Sequence, residues 1–393
     1  MTHPWRSAVA LALAAAVSLG LARFSYALLL PPMRADLGWS YTTAGAMNTV
    51  NAAGYLAGAL LAPRWLARHD ARRLLLWGGG VAAALLVLHA VVRSDLLLAL
   101  LRAATGVASA ASFIAGGLLA ARLAGVAGPN RAGAVLGIYY GGTGLGIMGS
   151  AALVPALVPA PAAWPAAWWA LGGAAALATV WTAAGTRSLH ATGAPPATRE
   201  RVPWRAFGFG LAAYLCFGLG YIGYMTFIVT LLREQGVAAS AVTAFYLLLG
   251  AAVVASSWLW ARLLQRWRGG GVLALLNALL AVATLLPVVS GAVPAAFASG
   301  LLFGGVFLQV VAATTALVRH NLPAAAWPAG ITAFTIVFAA GQIVGPTLVG
   351  WVADGPGGLL RGLACSAGAL ALGALLALGQ RPLDRQRAAP STS

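Results

Sequence analysis

Charge of any kind is scarce in this chain, and lysine is absent. Only 8% of the 393 residues are charged, and 24 arginines face seven acidic residues, which gives a net charge of +17. A soluble domain carries about 25% charged residues. The composition therefore excludes a soluble enzyme, a soluble nucleic-acid binder and a disordered scaffold. With 61% hydrophobic residues and a mean hydropathy of +0.87, the chain is predicted to be a polytopic membrane protein.

Cysteine is almost as rare as lysine. Cys216 and Cys365 both lie in apolar runs, which excludes a disulfide framework and a thiolate metal site. A nucleotide-binding loop of the glycine-rich lysine type, paired carboxylates and histidine or cysteine metal spacing are also missing from the sequence. We therefore expect neither an enzyme nor a receptor with a soluble sensor, and no metal or cofactor.

Long apolar runs dominate what remains. A helix needs about 20 mostly apolar residues to cross a bilayer, and twelve stretches meet this requirement. The predicted spans are 7–30, 41–62, 74–92, 96–121, 132–154, 165–185, 206–232, 241–264, 271–291, 294–317, 327–352 and 358–379. The first run is too long for a cleavable signal peptide, and eleven more follow it.

The arginines predict the orientation of these spans. Eighteen of the 24 fall in segments on the side of the chain termini, four fall on the opposite side, and Arg23 and Arg102 lie within spans. By the positive-inside rule both termini are cytoplasmic. We expect a multi-pass monomer of the bacterial cytoplasmic (inner) membrane, with the lipid bilayer as its surroundings and no nucleic-acid partner.

A duplicated architecture is indicated by the longest polar interruption and by an internal repeat. Residues 186–204 separate six spans from six. At an offset of 198 residues the matches are Gly20/Gly218, Leu21/Leu219, Tyr26/Tyr224, Gly38/Gly236, Asp36/Glu234, Arg64/Arg262 and Arg68/Arg266. Such repeats are common in secondary transporters. The predicted divisions are an N-terminal six-helix bundle (1–185), a cytoplasmic linker (186–204), a C-terminal six-helix bundle (205–380) and a cytoplasmic tail (381–393).

Several motifs resemble those of the major facilitator superfamily over essentially the whole chain. They are the glycine- and arginine-rich loop Gly58–Arg73, the segment Arg102–Gly106 in span four, the glycine-rich segment Gly137–Gly146 in span five, and the opening Gly20–Ser40. The resemblance implies an all-α membrane fold of twelve helices in two pseudo-symmetric six-helix bundles. It also implies a central cavity lined by spans 1, 4, 7 and 10, which opens alternately to either side.

Two buried arginines suggest a binding site. Arg23 and Arg102 are each about 10–12 Å below the outer interface at 1.5 Å per residue. All seven acidic residues fall in loops or at helix ends. Because a guanidinium stays protonated and a charge in a membrane is costly, both arginines need partners. We predict that they bind the carboxylate or similar group of a small organic anion. The alternative for Arg102 is a structural role, with hydrogen bonds to carbonyls across helices.

Hydroxyl and amide groups complete the predicted substrate site. On the α-helical period, Tyr26 shares the face of Arg23 and Ser109 that of Arg102, while Tyr221 and Tyr224 hold the repeat positions of Arg23 and Tyr26. An interfacial aromatic belt is the alternative for the tyrosines. The other polar residues within spans are predicted to form interhelical hydrogen bonds, with Gln309 of span ten as the exception that faces substrate. The residues predicted to form these interhelical hydrogen bonds are Asn48, Asn51, Tyr139, Tyr140, Asn277 and Gln342.

Arginines at the cytoplasmic ends of spans two and eight have two interpretations. By the resemblance, Arg64 and Arg68 with Arg262 and Arg266 latch the two bundles in the outward-open state, through Asp70. Alternatively, they contact lipid headgroups only. Protons remain a further candidate partner, through groups such as Asp36 and His89.

The sequence thus predicts a secondary active or facilitative transporter that works by alternating access on a small organic anion. The alternative is an exporter of drugs or hydrophobic metabolites. Arginines within the spans disfavour cationic drugs, but they leave neutral and anionic cargo open.

Overall fold

Twelve long helices make up the described part of the protein, as the sequence predicts. The computed structural model describes residues 4–190 and 203–383, and the other parts of the predicted linker and tail lie outside the described residues. The helices are α1 (Pro4–Leu37), α2 (Tyr41–Arg68), α3 (Ala71–His89), α4 (Asp95–Ala127), α5 (Pro129–Leu157), α6 (Trp164–Gly185), α7 (Gly208–Glu234), α8 (Ala239–Leu259, continued after a bend by Ala261–Arg266), α9 (Gly271–Val289), α10 (Val293–Asn321), α11 (Trp327–Ala353) and α12 (Gly358–Leu378). No strand occurs in these residues.

Nine helices of the described chain are long and apolar enough to cross a membrane by composition alone. The three others, α2, α5 and α6, are enriched in glycine, alanine, threonine and aromatic residues. Several helices also run past the predicted ends of their spans. In particular, α1 continues through Pro31 and Pro32 to Leu37, and α4 reaches Ala127.

The first helix changes its winding in the middle. It is α-helical over Pro4–Ala15 and Tyr26–Leu37 but π-helical over Ala16–Phe24, where the Ser25 N–H donates to the Gly20 carbonyl oxygen at 3.0 Å. A π turn takes one residue more per hydrogen-bonded ring than an α turn. The wider turn therefore rotates the residues that follow it relative to the α-helical period.

The two halves pack in the same way. In the first half the main pairs are α1–α5, α1–α6, α2–α4, α3–α4 and α3–α6. In the second half they are α7–α11, α7–α12, α8–α10, α9–α10 and α9–α12. Each pair of the second list follows from the first when every helix number is raised by six. The fold thus has the pseudo-symmetry that the internal repeat predicts.

Between the halves, α2 packs on α11, α5 on α8, and the last third of α1 on α7. The glycine-rich run of α5 allows both of its neighbours to approach closely. A side chain at Gly146 would collide with the backbone of Gly20 in α1, and one at Gly144 would collide with the Gly250 carbonyl oxygen in α8. Because small residues let helix backbones meet in lipid, α5 joins the interior of one half to the surface of the other.

Candidate functional site

Arg102 of α4 is buried, and each of its three side-chain nitrogens donates one hydrogen bond. Its side chain is 1% exposed. Nε donates to the Met47 carbonyl oxygen at 3.4 Å, Nη1 to that of Ala22 at 3.2 Å, and Nη2 to Asn48 Oδ1 at 3.2 Å. The ring of Tyr26 lies 4.5 Å from its Cζ. All these partners belong to the first half, so the geometry favours the structural role for Arg102.

Arg23 of α1 is equally buried but only partly used. It is 4% exposed, and Nη2 donates to Gln342 Oε1 of α11 at 2.7 Å. Its Nε is buried and makes no hydrogen bond within the described residues. A guanidinium remains charged when buried. Arg23 is therefore a permanent cation that has one neutral acceptor for three donor nitrogens.

Gln342 joins Arg23 to the second half of the protein. Its Oε1 accepts from Arg23, and its Nε2 donates to the Tyr221 hydroxyl of α7 at 2.6 Å. Because a guanidinium only donates, the amide must turn its oxygen toward Arg23. Arg23, Gln342 and Tyr221 thus form a chain of hydrogen bonds across both halves, deep in the bundle.

Aromatic rings surround this chain. The Cζ of Arg23 lies 5.5 Å from the ring centre of Tyr55 and 5.9 Å from that of Phe24. Phe307 of α10 meets Phe24 edge-on at 5.8 Å and stacks with Tyr221 at 6.0 Å between ring centres. Three helices of the predicted cavity lining, α1, α7 and α10, therefore meet at Arg23.

Two further tyrosines on the side of Arg23 toward the chain termini are less buried than the rings described so far. Tyr55 of α2 is half-buried, and Tyr140 of α5 is 44% exposed. Tyr55 lies within electrostatic range of Arg23, Tyr140 and Tyr221, and Tyr140 lies within range of Arg319 at the end of α10. Tyr140 precedes Gly141, which approaches Val254 of α8, so Tyr140 lies near the boundary between the halves, on the side of Arg23 toward the chain termini.

Tyr26 lies beside Arg102 and not beside Arg23, so the expectation that Tyr26 and Arg23 share a face is wrong. The reason is the π-helical segment, which ends between them and changes the helical period. The Tyr26 hydroxyl donates to the Ala44 carbonyl oxygen of α2 at 2.9 Å. Tyr26 thus packs α1 against α2 and covers the guanidinium of Arg102.

Three other predicted site residues lie between packed helices. The Tyr224 hydroxyl lies 2.7 Å from Ser299 Oγ, and its ring stacks on Phe303. Gln309 donates from Nε2 to Ser256 Oγ of α8 at 3.0 Å. Ser109 is buried, and its hydroxyl makes no hydrogen bond within the described residues. Of the seven predicted substrate-binding residues, the structure brings Arg23 and Tyr221 together through Gln342.

The ends of the halves that lie away from the chain termini, here called the outer end, are joined by polar contacts. Asp354 at the end of α11 accepts from the backbone N–H of Tyr41 at 2.7 Å and of Thr42 at 2.9 Å. It thereby caps the amino terminus of α2. Glu234 of α7 accepts from the Tyr41 hydroxyl and lies 3.8 Å from Arg34 Nη1 of α1.

The inner end, where the chain termini lie, differs. Arg64, Arg68, Arg262 and Arg266 are all exposed, and within the described residues none makes an ion pair or a hydrogen bond. Asp70 caps α3 by accepting from the Arg72 N–H at 2.9 Å. The predicted latch therefore stays a prediction for another state of the protein, since the outer end is the closed one here.

Neither group considered for proton transfer faces Arg23. Asp36 is at the outer end, where it accepts from Arg93 Nη1 at 2.7 Å and from Trp164 Nε1 at 2.8 Å. His89 is buried and stacks on Trp168 at 4.5 Å between ring centres. Within the described residues no group of three histidine, cysteine or acidic side chains could hold a metal ion.

Solved structures of transporters share this fold. A mutant of the nucleoside transporter NupG superposes with a TM-score of 0.74 at 14% sequence identity, over 95% of this chain and 99% of that one. A bacterial homolog of the human lysosomal transporter Spinster, in an inward-facing and occupied conformation, superposes with a TM-score of 0.73 at 13% identity, over 96% of this chain and 97% of that one. At these identities the likeness shows the fold alone.

Sequence comparison gives the family. No curated protein matches the sequence. The model of the family described as "Uncharacterised MFS-type transporter YbfB" matches residues 15–378, which is almost the whole chain. Both the twelve-helix fold and the predicted resemblance are thereby confirmed. The chain belongs to this YbfB-type family of the major facilitator superfamily, a family of membrane transporters and not of enzymes.

Proposed function

We propose that this transporter carries a small organic anion and that Arg23 binds its negative group. The observation that carries the proposal is the incomplete pairing of Arg23. The side chain is 4% exposed, its single hydrogen-bond acceptor among the described residues is the neutral Gln342, and its Nε has none. A charge in the membrane interior is expensive and marks a functional site. A carboxylate would supply the missing acceptors in bidentate geometry.

Alternating access between the halves is the mechanism we propose. The halves 1–185 and 205–380 would move as two bodies, with both termini in the cytoplasm of a bacterial cell. Polar contacts close the outer end, whereas four inner-end arginines have no partner across the halves among the described residues. Among those residues α4 and α10, which both run to the inner end, do not pack extensively on each other. These features support an inward-facing arrangement.

The experiment is a ligand screen with the purified full chain and two variants. A ligand that binds the folded state raises the unfolding temperature in proportion to the logarithm of its concentration. We expect organic anions to stabilise the protein and Arg23→Gln to weaken their binding by about thirtyfold or more, because a buried charge pair loses a partner. Arg131→Gln, which removes an exposed arginine outside the predicted site and latch, is the matched control. Unchanged anion affinity in Arg23→Gln would contradict the proposal.

Export of drugs or hydrophobic metabolites is the second candidate, and the aromatic rings around Arg23 favour it. Neutral hydrophobic cargo would pack against Tyr55, Phe24 and Phe307 without using the guanidinium. The same screen separates the two candidates. Export would be favoured if neutral compounds bind the native chain and Arg23→Gln with equal affinity and no organic anion binds the native chain.

A further inference from the structure

Of the two arginines buried deep in the bundle, Arg102 and Arg23, only one has nitrogens available to bind a negative group. All three nitrogens of Arg102 already donate to acceptors of the first half, and its side chain is 1% exposed. Arg23 alone of the two has nitrogens without acceptors within the described residues. A second carboxylate on the same cargo would therefore be buried without a counter-ion, which opposes binding. Such a site would favour cargo with a single negative charge.

The surroundings of Arg23 are flat and aromatic. The rings of Tyr55 and Phe24 lie 5.5 and 5.9 Å from its Cζ, and Phe307 connects Phe24 to the stacked ring of Tyr221. The hydroxyl of Tyr221 is 2.6 Å from Gln342 Nε2, so the donors of the site lie at one edge of this group of rings. Two aromatic rings in offset-stacked or edge-on contact attract each other more strongly than the area they bury would by itself provide.

The side of these rings that faces the inner end is also aromatic. Tyr55 is half-buried and Tyr140 is 44% exposed. Both adjoin α4, where the backbone of Tyr55 meets Gly106 and the ring of Tyr140 lies 6.1 Å from that of Phe113 between ring centres. A cargo whose carboxylate meets Arg23 from the inner side would therefore place its body against these two rings. Both rings also carry a hydroxyl group, which can form a hydrogen bond with a polar group at the edge of the cargo.

We propose that the cargo is an aromatic monocarboxylate, whose single carboxylate binds Arg23 and whose flat ring packs against Tyr55 and Tyr140. This inference rests on the proposed function, because it names the chemical class of the anion. It excludes dicarboxylates by charge and disfavours saturated carboxylates by shape.

Three probe compounds test the proposal with the purified full chain. Benzoate has the proposed chemistry, cyclohexanecarboxylate has the same charge without a flat ring, and terephthalate has the ring with a second carboxylate. We expect benzoate to bind about three- to tenfold more tightly than cyclohexanecarboxylate, the worth of one aromatic pair. It should bind at least about thirtyfold more tightly than terephthalate, whose second charge stays unpaired. Affinities come from the unfolding temperature across a concentration series.

Variants of Tyr55 test whether its ring causes the preference for benzoate over cyclohexanecarboxylate. Tyr55→Leu should reduce the ratio of the benzoate and cyclohexanecarboxylate affinities toward one, whereas Tyr55→Phe, which keeps the ring, should retain it. Equal or tighter binding of cyclohexanecarboxylate or terephthalate to the native chain overturns this inference and leaves the anion proposal intact. If the native chain binds none of the three, this inference fails, and the proposed function still stands on the screen of other organic anions. If Arg23→Gln binds benzoate as tightly as the native chain does, the inference and the proposed function both fail.

Discussion

The two buried arginines of this transporter differ in where their hydrogen bonds lead. Arg102 donates only to groups of its own half, the carbonyls of Ala22 and Met47 and the amide of Asn48. Arg23 donates to Gln342 of the other half. A contact within a half persists when the halves move, whereas a contact between halves must break and re-form. We therefore expect the first arginine to determine stability and the second to determine binding and conformation.

The same division separates the two acids that the internal repeat relates. Asp36 accepts from Arg93 and Trp164 and so braces the first half. Its repeat partner Glu234 contacts Tyr41 and Arg34 across the interface between the halves. The internal repeat has an acid at each position, and the two acids form different contacts.

The largest effect should come from breaking the contacts of Arg102. Arg102→Gln leaves three buried acceptors without their donor, and we expect it to lower the free energy of unfolding by about 3 kcal/mol. Chemical denaturation of the purified protein measures this loss. Arg64→Gln, an exposed control, should change stability by less than about 0.5 kcal/mol. If the two variants are equally stable, the carbonyl contacts of Arg102 do not hold α4 in place.

A smaller effect should follow from Gln342→Leu, which removes the bridge between the halves. A hydrogen bond to a charged group contributes about 2 kcal/mol, so the outer-open population should rise by about thirtyfold relative to the closed one. Distances between spin labels at Val91→Cys and Val289→Cys, both exposed at the outer end, report this change. The exposed Cys365 is first replaced by serine, and Cys216 is buried.

Gln309→Leu is the matched control for that measurement. Gln309 donates to Ser256 within the second half. Its loss should leave the distance between the labels unchanged, although it removes the same side chain from a buried position. If the distance between the labels changes equally in both variants, losing a hydrogen bond within a half has the same effect on the outer end as losing one between the halves.

The smallest effect should come from the outer end. Burial raises the pKa of the Asp354 carboxyl, but the hydrogen bonds it accepts from Thr42 and Tyr41 outweigh burial and hold its pKa below the usual 3.8. The contact is therefore fully present above pH 3.8 and is lost as the pH falls through the lowered pKa. Asp354→Asn should weaken outer closure by about 1 kcal/mol at neutral pH.

The same spin labels test this prediction across pH. In the otherwise native chain the outer distance should stay constant from pH 8 to about pH 4 and increase only below it. Asp36→Asn is the control, since Asp36 bonds within the first half. A distance that changes near neutral pH would show that another group controls the outer closure.

Hydropathy and arginine placement are enough to predict the twelve helices and the duplication, because lipid requires long apolar helices. They also identify Arg23, since a buried cation without an acid nearby in sequence is unusual. The sequence predicts interhelical hydrogen bonds for Gln342 but not its partners, and it predicts no role for Tyr55. Both depend on how α11 and α2 meet α1, which no local pattern encodes.

Tyr26 shows a different limit. Its predicted neighbour was Arg23 because an α-helical period puts residues three apart on one face. The chain instead takes a π-helical course over Ala16–Phe24, where Gly20 lies against Gly146 of α5. A tertiary contact thus coincides with the altered local winding, and the period cannot be read from α1 alone.

The wider turn in α1 has a consequence for how this site could have arisen. In an unbroken α-helix, residues three apart lie on the same face and contact the same neighbouring helix, so the two side chains would serve the same contact. The wider winding over Ala16–Phe24 lets Arg23 point to Gln342 of the second half while Tyr26 stays against α2 and Arg102 of the first. Within one turn, helix α1 thereby carries the proposed cargo contact on one side and a contact inside its own half on the other.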